Sequence, residues 1–133
     1  MRTESENVSI AGVVADIVEG LRFDTEWAYK KIIVDCVGDM MVSGDYKVLY
    51  GPMHSIVDNA VKCTPEHSAV QIAVWKDHMH RMVQITVSDE RRDTSQVALE
   101  DMDGLIALGG SVAQYALQGK SVVQISLPMP EEQ

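Results

Sequence analysis

The most informative segment of this 133-residue chain is SIVDNAVKCTP, residues 55–65. Its apolar residues recur at helical spacing and continue the apolar pattern of the residues before it. Ser55, Asn59 and Lys62 are separated by four and three residues, so they line a second, polar face of the same helix. The pattern therefore predicts an amphipathic helix over residues 45–62.

Two prolines bear on this helix. Pro65 ends it at Thr64, because the residue before a proline avoids helical backbone angles. Pro52 lies inside it, next to Gly51, where a proline costs about 3 kcal/mol. We therefore expect either a kink at Pro52 or a separate first turn. The turn at residues 43–45 caps the helix.

Apolar periodicity predicts the other elements. In chain order they are a helix over 8–22 with Ser9 as N-cap, a strand over 31–37, strands over 69–75 and 82–88, a helix from the capping box Asp93–Gln96 to Gly109-Gly110, and strands over 111–117 and 121–127. Strands that follow one another through short turns favour antiparallel pairing. The fold class is therefore α+β, a two-layer sandwich of about three helices on a mixed, mostly antiparallel sheet.

Length and composition indicate a single domain over residues 1–133, with flexible ends at 1–7 and 129–133. The formal net charge of −9 opposes binding to nucleic acid or to an anionic membrane surface. No apolar run reaches the roughly twenty residues of a membrane span, and the first residues are too polar for a signal peptide. We therefore expect a cytoplasmic protein, with Cys36 and Cys63 reduced.

From about Val8 to Pro128, the chain resembles the ATP-binding domain of sensor histidine kinases, in the wider family that includes gyrase and MutL. Residues 55–65 look like the N-box helix of that family, N-L-L-x-N-A-x-K-x-T. The segment ITVSD, residues 85–89, resembles its V-x-V-x-D pattern. The closing glycines and the final Leu-Pro of the family resemble residues 109–128, with Gly109-Gly110, Gly119-Lys120 and Leu127-Pro128.

The resemblance implies a role for four residues of this chain. Asn59 matches the magnesium-coordinating Asn, and Lys62 matches the N-box Lys near the phosphates. Asp89 matches the acid that accepts the adenine amino group. Ser55 stands where the kinases carry their first N-box Asn, and it serves that role less well. From spacing alone, the same stripe also fits the solvent face of an ordinary amphipathic helix.

The sequence departs from the family at the residues that approach nucleotide most closely. Arg91 replaces the first glycine of the D-x-G-x-G box, where the backbone must come close to the base. Only nineteen residues separate Asp89 from Gly109, and they contain no second glycine box to cradle phosphates. The first histidine is His54, inside the N-box helix, so we expect no upstream phosphoacceptor domain in this chain.

These departures predict a degenerate histidine-kinase-like domain with a vestigial nucleotide pocket and no cofactor. It would act by binding a response regulator or a histidine-kinase dimerisation domain. The expected contact surfaces are the exposed side of the first helix and the loop with Arg91 and Arg92. One alternative is the ATP-binding catalytic domain of a sensor histidine kinase, which holds Mg-ATP and phosphorylates a histidine on a separate dimerisation domain. Another is an anti-sigma-factor-like kinase with a compact lid.

Overall fold

The computed structural model describes residues 6–27, 29–91 and 102–130, without the side chains of Glu6, Asp24, Glu26 and Trp27. The elements run in the order β1 (Glu6–Ser9), α1 (Ile10–Gly20), α2 (Arg22–Trp27), β2 (Lys31–Cys36), β3 (Met41–Gly44), α3 (Tyr46–Cys63), β4 (Ala69–Asp77), β5 (Met82–Asp89), α4 (Asp103–Ala107), β6 (Ser111–Leu117) and β7 (Lys120–Pro128).

The main sheet has five strands in the order β2-β4-β5-β7-β6. Strand β2 runs parallel to β4, and every other neighbouring pair is antiparallel. Strands β1 and β3 form a separate antiparallel pair. The structure thus confirms the predicted α+β sandwich with a mixed, mostly antiparallel sheet.

The core lies between this sheet and the helices, because alternate residues of each inner strand are apolar. Helix α3 packs on α1, β4 and β5. The inward-facing strand residues are buried: Val70, Ile72, Val74, Val83, Ile85, Val87, Val123, Ile125 and Leu127. The opposite face of the sheet carries polar side chains, and Gln84 Oε1 there accepts hydrogen bonds from Gln124 Nε2 and Ser126 Oγ.

The first helix begins two residues later than predicted. Ser9 is its N-cap, as expected, and its hydroxyl accepts a hydrogen bond from the Gly12 amide at 3.0 Å. The residues before Ile10 instead form β1, which pairs with β3 where only a turn was predicted. Four-residue strands give no usable periodicity, and this pairing joins segments about thirty-five positions apart. Val42 at its centre is fully buried.

Helix α3 is one continuous element, so of the two expected arrangements, a kink at Pro52 or a separate first turn, the second does not form. Asp45 caps it by accepting a hydrogen bond from the Lys47 amide at 2.8 Å. Pro52 lies within the helix and is buried. Burial of the proline ring against the core offsets the hydrogen bond that proline cannot donate.

The predicted flexible ends, residues 1–7 and 129–133, lie mostly outside the described residues, which begin at residue 6 and end at residue 130. Asn7 belongs to β1, and the Met129 amide donates a hydrogen bond to the Arg81 carbonyl at 3.0 Å. The capping box at residues 93–96 lies outside the described residues, and the described part of the helix after it is the short α4. In the described ranges, no helix has the length and hydrophobicity to cross a membrane.

Candidate functional site

The candidate site lies where the end of β5 meets the last turns of α3. Asp89 is the final residue of β5, and Asn59 lies one turn before the end of α3. These two elements pack on each other in the core. Two of the residues singled out in the sequence are therefore brought to one place, although thirty positions separate them.

Asp89 and Arg91 form an ion pair that is withdrawn from solvent. The Asp89 side chain is 2% exposed and the Arg91 side chain 6%. Arg91 Nε lies 2.8 Å from Oδ1 and 3.0 Å from Oδ2 of Asp89, and Nη2 lies 2.5 Å from Oδ2. The Arg91 amide also donates to Oδ1 at 2.9 Å. Both carboxylate oxygens thus accept hydrogen bonds from the same residue.

The guanidinium also reaches α3. Arg91 Nη2 donates to Asn59 Oδ1 at 3.3 Å, and Cys63 Sγ lies 3.5 Å from the same oxygen. Arg91 therefore bridges the end of β5 and the polar face of the helix. The amide oxygen of Asn59 already faces two donors.

Thr64 fixes the loop on the other side of the pair. Its side chain is nearly inaccessible, with the residue 1% exposed. The Glu90 amide donates to Thr64 Oγ1 at 3.3 Å, and Ser68 Oγ lies 2.7 Å from the same hydroxyl. Thr64 therefore ties the residue between Asp89 and Arg91 to the end of α3. In the sequence, Thr64 is recognisable only as the end of the helix before Pro65 and as the match to the last residue of the N-box pattern.

No family model matches the sequence, and no curated protein matches it either. Solved structures do match. They include histidine kinase AdeS of Acinetobacter baumannii, with 15% identity, TM-score 0.81, and coverage of 98% of this chain and 70% of that chain. The mycobacterial sensor histidine kinase MprB has 17% identity, TM-score 0.81, and coverage of 94% and 97%. The catalytic domain of histidine kinase ThkA has 14% identity, TM-score 0.83, and coverage of 96% and 97%.

This chain has the fold of a histidine kinase catalytic domain. The likeness spans nearly the whole chain, as the resemblance in the sequence predicted. At identities of 14–17% the likeness establishes the architecture alone.

The other two residues that the resemblance assigns to the nucleotide pocket lie on the same helix as Asn59. Ser55 is exposed, one turn before Asn59. Lys62 Nζ lies 2.9 Å from Asp58 Oδ2, and the lysine side chain is 72% exposed. Lys62 thus forms a surface ion pair of the i,i+4 type, which contributes less than about 1 kcal/mol and can open easily.

The position of Arg91 differs from the expectation that its side chain faces a partner protein. Its side chain points inward, where the Asp89 carboxylate and the Asn59 amide oxygen accept hydrogen bonds from it. Arg92, the second residue of the expected contact surface, lies outside the described residues. Within those residues, no three His, Cys, Asp or Glu side chains converge to hold a metal ion.

Proposed function

We propose that this chain is a degenerate histidine-kinase-like ATPase domain of two-component signalling, which does not bind nucleotide and acts by protein–protein interaction. The observation that supports the proposal is the buried ion pair between Arg91 and Asp89. Arg91 stands at the first position where the family has a glycine, and its side chain fills the space that the glycine would leave open.

The adenine end of the site is the first reason. In the resemblance, Asp89 accepts the adenine amino group, but here both of its oxygens accept hydrogen bonds from Arg91. A base that enters must displace the guanidinium. Removing one partner from a buried ion pair costs about 3–5 kcal/mol of free energy. A hydrogen bond from the adenine amino group to the carboxylate contributes only about 1.5–3 kcal/mol of binding free energy. The exchange is unfavourable.

The magnesium end gives a second reason. Asn59 Oδ1, the oxygen that the resemblance assigns to Mg²⁺, lies 3.3 Å from a guanidinium nitrogen of Arg91. A divalent cation bound at this oxygen would face a fixed positive charge at short range, which repels it. The donor set therefore does not fit Mg-ATP. The sequence after Asp89 also contains no second glycine box for the triphosphate.

Under this proposal the partner is a response regulator or a histidine-kinase dimerisation domain. The exposed side of α1 is a candidate contact surface, since Ala15, Asp16 and Glu19 are exposed while Val13, Val14 and Ile17 are buried. This division leaves a polar, acidic stripe along the helix that can meet a basic surface.

The second candidate is an ATP-binding catalytic domain that phosphorylates a histidine on a separate dimerisation domain. It is favoured by the presence of Asn59, Lys62 and Asp89 at the N-box helix and the β5 terminus of a kinase fold. It requires the Arg91 side chain to leave Asp89 and turn toward solvent before nucleotide enters.

Isothermal titration calorimetry of the protein with Mg-ATP and with Mg-ADP tests the proposal. We expect no heat of binding at micromolar concentrations. Micromolar binding that is lost in both Asn59→Ala and Asp89→Asn would overturn the proposal and favour the catalytic alternative. Lys47→Ala, on the first turn of α3, is the matched control on the same helix, and circular dichroism of each variant checks that it is folded.

A further inference from the structure

Strand β2 is an open edge of the five-stranded sheet. In the part of the chain that the structure describes, it pairs with β4 alone. The Lys31 amide donates to the Ser68 carbonyl at 3.2 Å, so the odd-numbered residues of β2 direct their backbone groups toward β4. The N–H and C=O groups of Ile32, Val34 and Cys36 therefore point away from the sheet, where another strand can pair with them.

The side chains of this edge are unusually apolar for an exposed strand. Ile33 is 50% exposed and Val34 43%, on opposite faces of the sheet. Natural edge strands are commonly protected by proline, bulges or central charges, and the centre of β2 has none of these. The charged residues, Lys31 and Asp35, stand instead at equal distances on either side of Ile33.

This symmetry makes the strand complementary to itself. When two copies of β2 pair antiparallel about Ile33, Lys31 of one copy lies opposite Asp35 of the other, twice. On the opposite face, Ile32 lies opposite Val34, also twice. Every facing pair is then either apolar with apolar or cation with anion, and the outward backbone groups of Ile32 and Val34 meet.

Other registers lose this complementarity. Because outward backbone groups must meet outward backbone groups, the register can shift only so that even-numbered residues face even-numbered residues. The next such register centres on Val34 and places Ile33 opposite Asp35. It buries a carboxylate beside an apolar side chain and leaves Lys31 without an acid, so it is disfavoured.

A cavity next to Asp35 has room for the incoming lysine. It measures about 510 Å³, and its lining includes Asp35, Asp39, Val37 and Trp75. Lys76 also lines it, so one cation is set against two carboxylates. An ammonium beside Asp35 with its aliphatic stem on Val37 matches these surroundings.

We propose that this domain forms a two-fold dimer in which two β2 strands pair antiparallel about Ile33 and join the two sheets into one. The interface is isologous, since the same residues contribute from each copy. The net charge of −9 on each copy opposes association, but at physiological ionic strength it is screened over about 8 Å, and the paired Lys31 and Asp35 are in contact. This inference does not rest on the loss of nucleotide binding.

Sedimentation velocity over a concentration series to roughly 1 mM, the limit of a weak specific contact, tests the dimer. We expect wild type to dimerise and Lys31→Asp and Asp35→Lys each to weaken dimerisation at least tenfold. The decisive sample mixes the two variants: it contains only opposite charges across the interface, so it forms a heterodimer. Lys47→Asp on α3 and Asp103→Lys on α4, at exposed positions of elements other than β2, match the two changes in net charge and should leave dimerisation unchanged.

Three results would overturn the proposal. The first is a wild-type chain that stays monomeric throughout the series. The second is a dimer that Lys31→Asp and Asp35→Lys weaken no more than their charge controls, which would place the interface elsewhere. The third is a monomeric chain in which the β2 amides are protected from hydrogen exchange only after a basic extended peptide is added. That result would show that the β2 edge binds a different protein instead of a second copy.

Discussion

Arg91 Nε and Nη2 bind the Asp89 carboxylate from a position two residues further along the chain, and the pair is almost completely buried. The same carboxylate is the one that the family resemblance assigns to adenine. The Arg91 side chain therefore already occupies the carboxylate oxygens that an adenine amino group would need. It also links β5 to Asn59 on α3, so the pair contributes to the fold as well as to the chemistry of the pocket.

The first prediction concerns the energy of this pair. Arg91→Met leaves the buried Asp89 carboxylate without its counter-charge, so we expect it to lower the free energy of unfolding by about 3–5 kcal/mol. Asp89→Asn should lower the free energy of unfolding by a similar amount. The double variant should lose clearly less than the sum of the two, and urea denaturation measures all three. Strictly additive losses would contradict the coupling. Asp58→Asn, in the exposed pair with Lys62, is the control and should cost less than about 1 kcal/mol.

The second prediction concerns two glycines with opposite surroundings. Gly51 lies in the interior of α3, and a Cβ added there meets no atom within 4 Å. Gly51→Ala should therefore raise the free energy of unfolding by about 0.5–1 kcal/mol. At Gly110 an added Cβ would lie 2.7 Å from the Ser126 carbonyl and 2.8 Å from the Leu105 carbonyl. Gly110→Ala should destabilise by about 1–3 kcal/mol, and equal melting temperatures for the two variants would contradict both assignments.

The third prediction concerns the reactivity of Cys36. Burial raises the pKa of its thiol above the ordinary 9.0, and the nearby carboxylates of Asp39 and Asp35 raise it further. The folded state therefore favours the neutral Cys36 thiol. The stability that this preference contributes is present below the pKa of the thiol in the unfolded chain, and it is lost as the pH rises through the pKa of the thiol in the folded chain.

Alkylation rates against pH, in a Cys63→Ser background, measure this effect. We expect Cys36 to react more slowly than an unfolded thiol at pH 8, since the thiolate is the nucleophile. Asp39→Asn should lower the pKa of Cys36 in part, because burial remains the larger cause. Asp58→Asn, a distant acid, should leave the profile unchanged. An identical profile in Asp39→Asn would show that the carboxylate has no influence on the thiol.

The fourth prediction concerns the contact between α1 and α3. Tyr46 donates a hydrogen bond to Asp16, and this bond raises the pKa of Tyr46 from 10.0 to about 12. The stabilisation is fully present below pH 10 and is lost as the pH rises through about 12. The phenolate absorbance of wild type, minus that of Tyr46→Phe, isolates this titration. Asp16→Asn should move it back toward 10, and a Tyr46 that already titrates near 10 in wild type would contradict the contact.

Much of the fold follows from local pattern. The spacing of apolar residues predicted α1, α3 and the five strands of the main sheet, because burial of one face imposes a period on the sequence. Ser9 and the turn at residues 43–45 were identifiable as the caps of the two helices, since a side-chain oxygen there satisfies a free amide. The β1–β3 pair was not predictable, because its four-residue strands are too short to show a period and their partners are distant in sequence.

The fold class and the strands of the main sheet follow from the sequence alone, and the resemblance that it carries assigns Ser55, Asn59, Lys62 and Asp89 to a nucleotide pocket. It also showed that an arginine replaces a glycine at position 91. Only the tertiary structure decided which way that arginine points. An arginine in a charged loop is ordinarily solvated, and it turns inward here because two elements far apart in sequence place Asp89 and Asn59 within reach of one guanidinium.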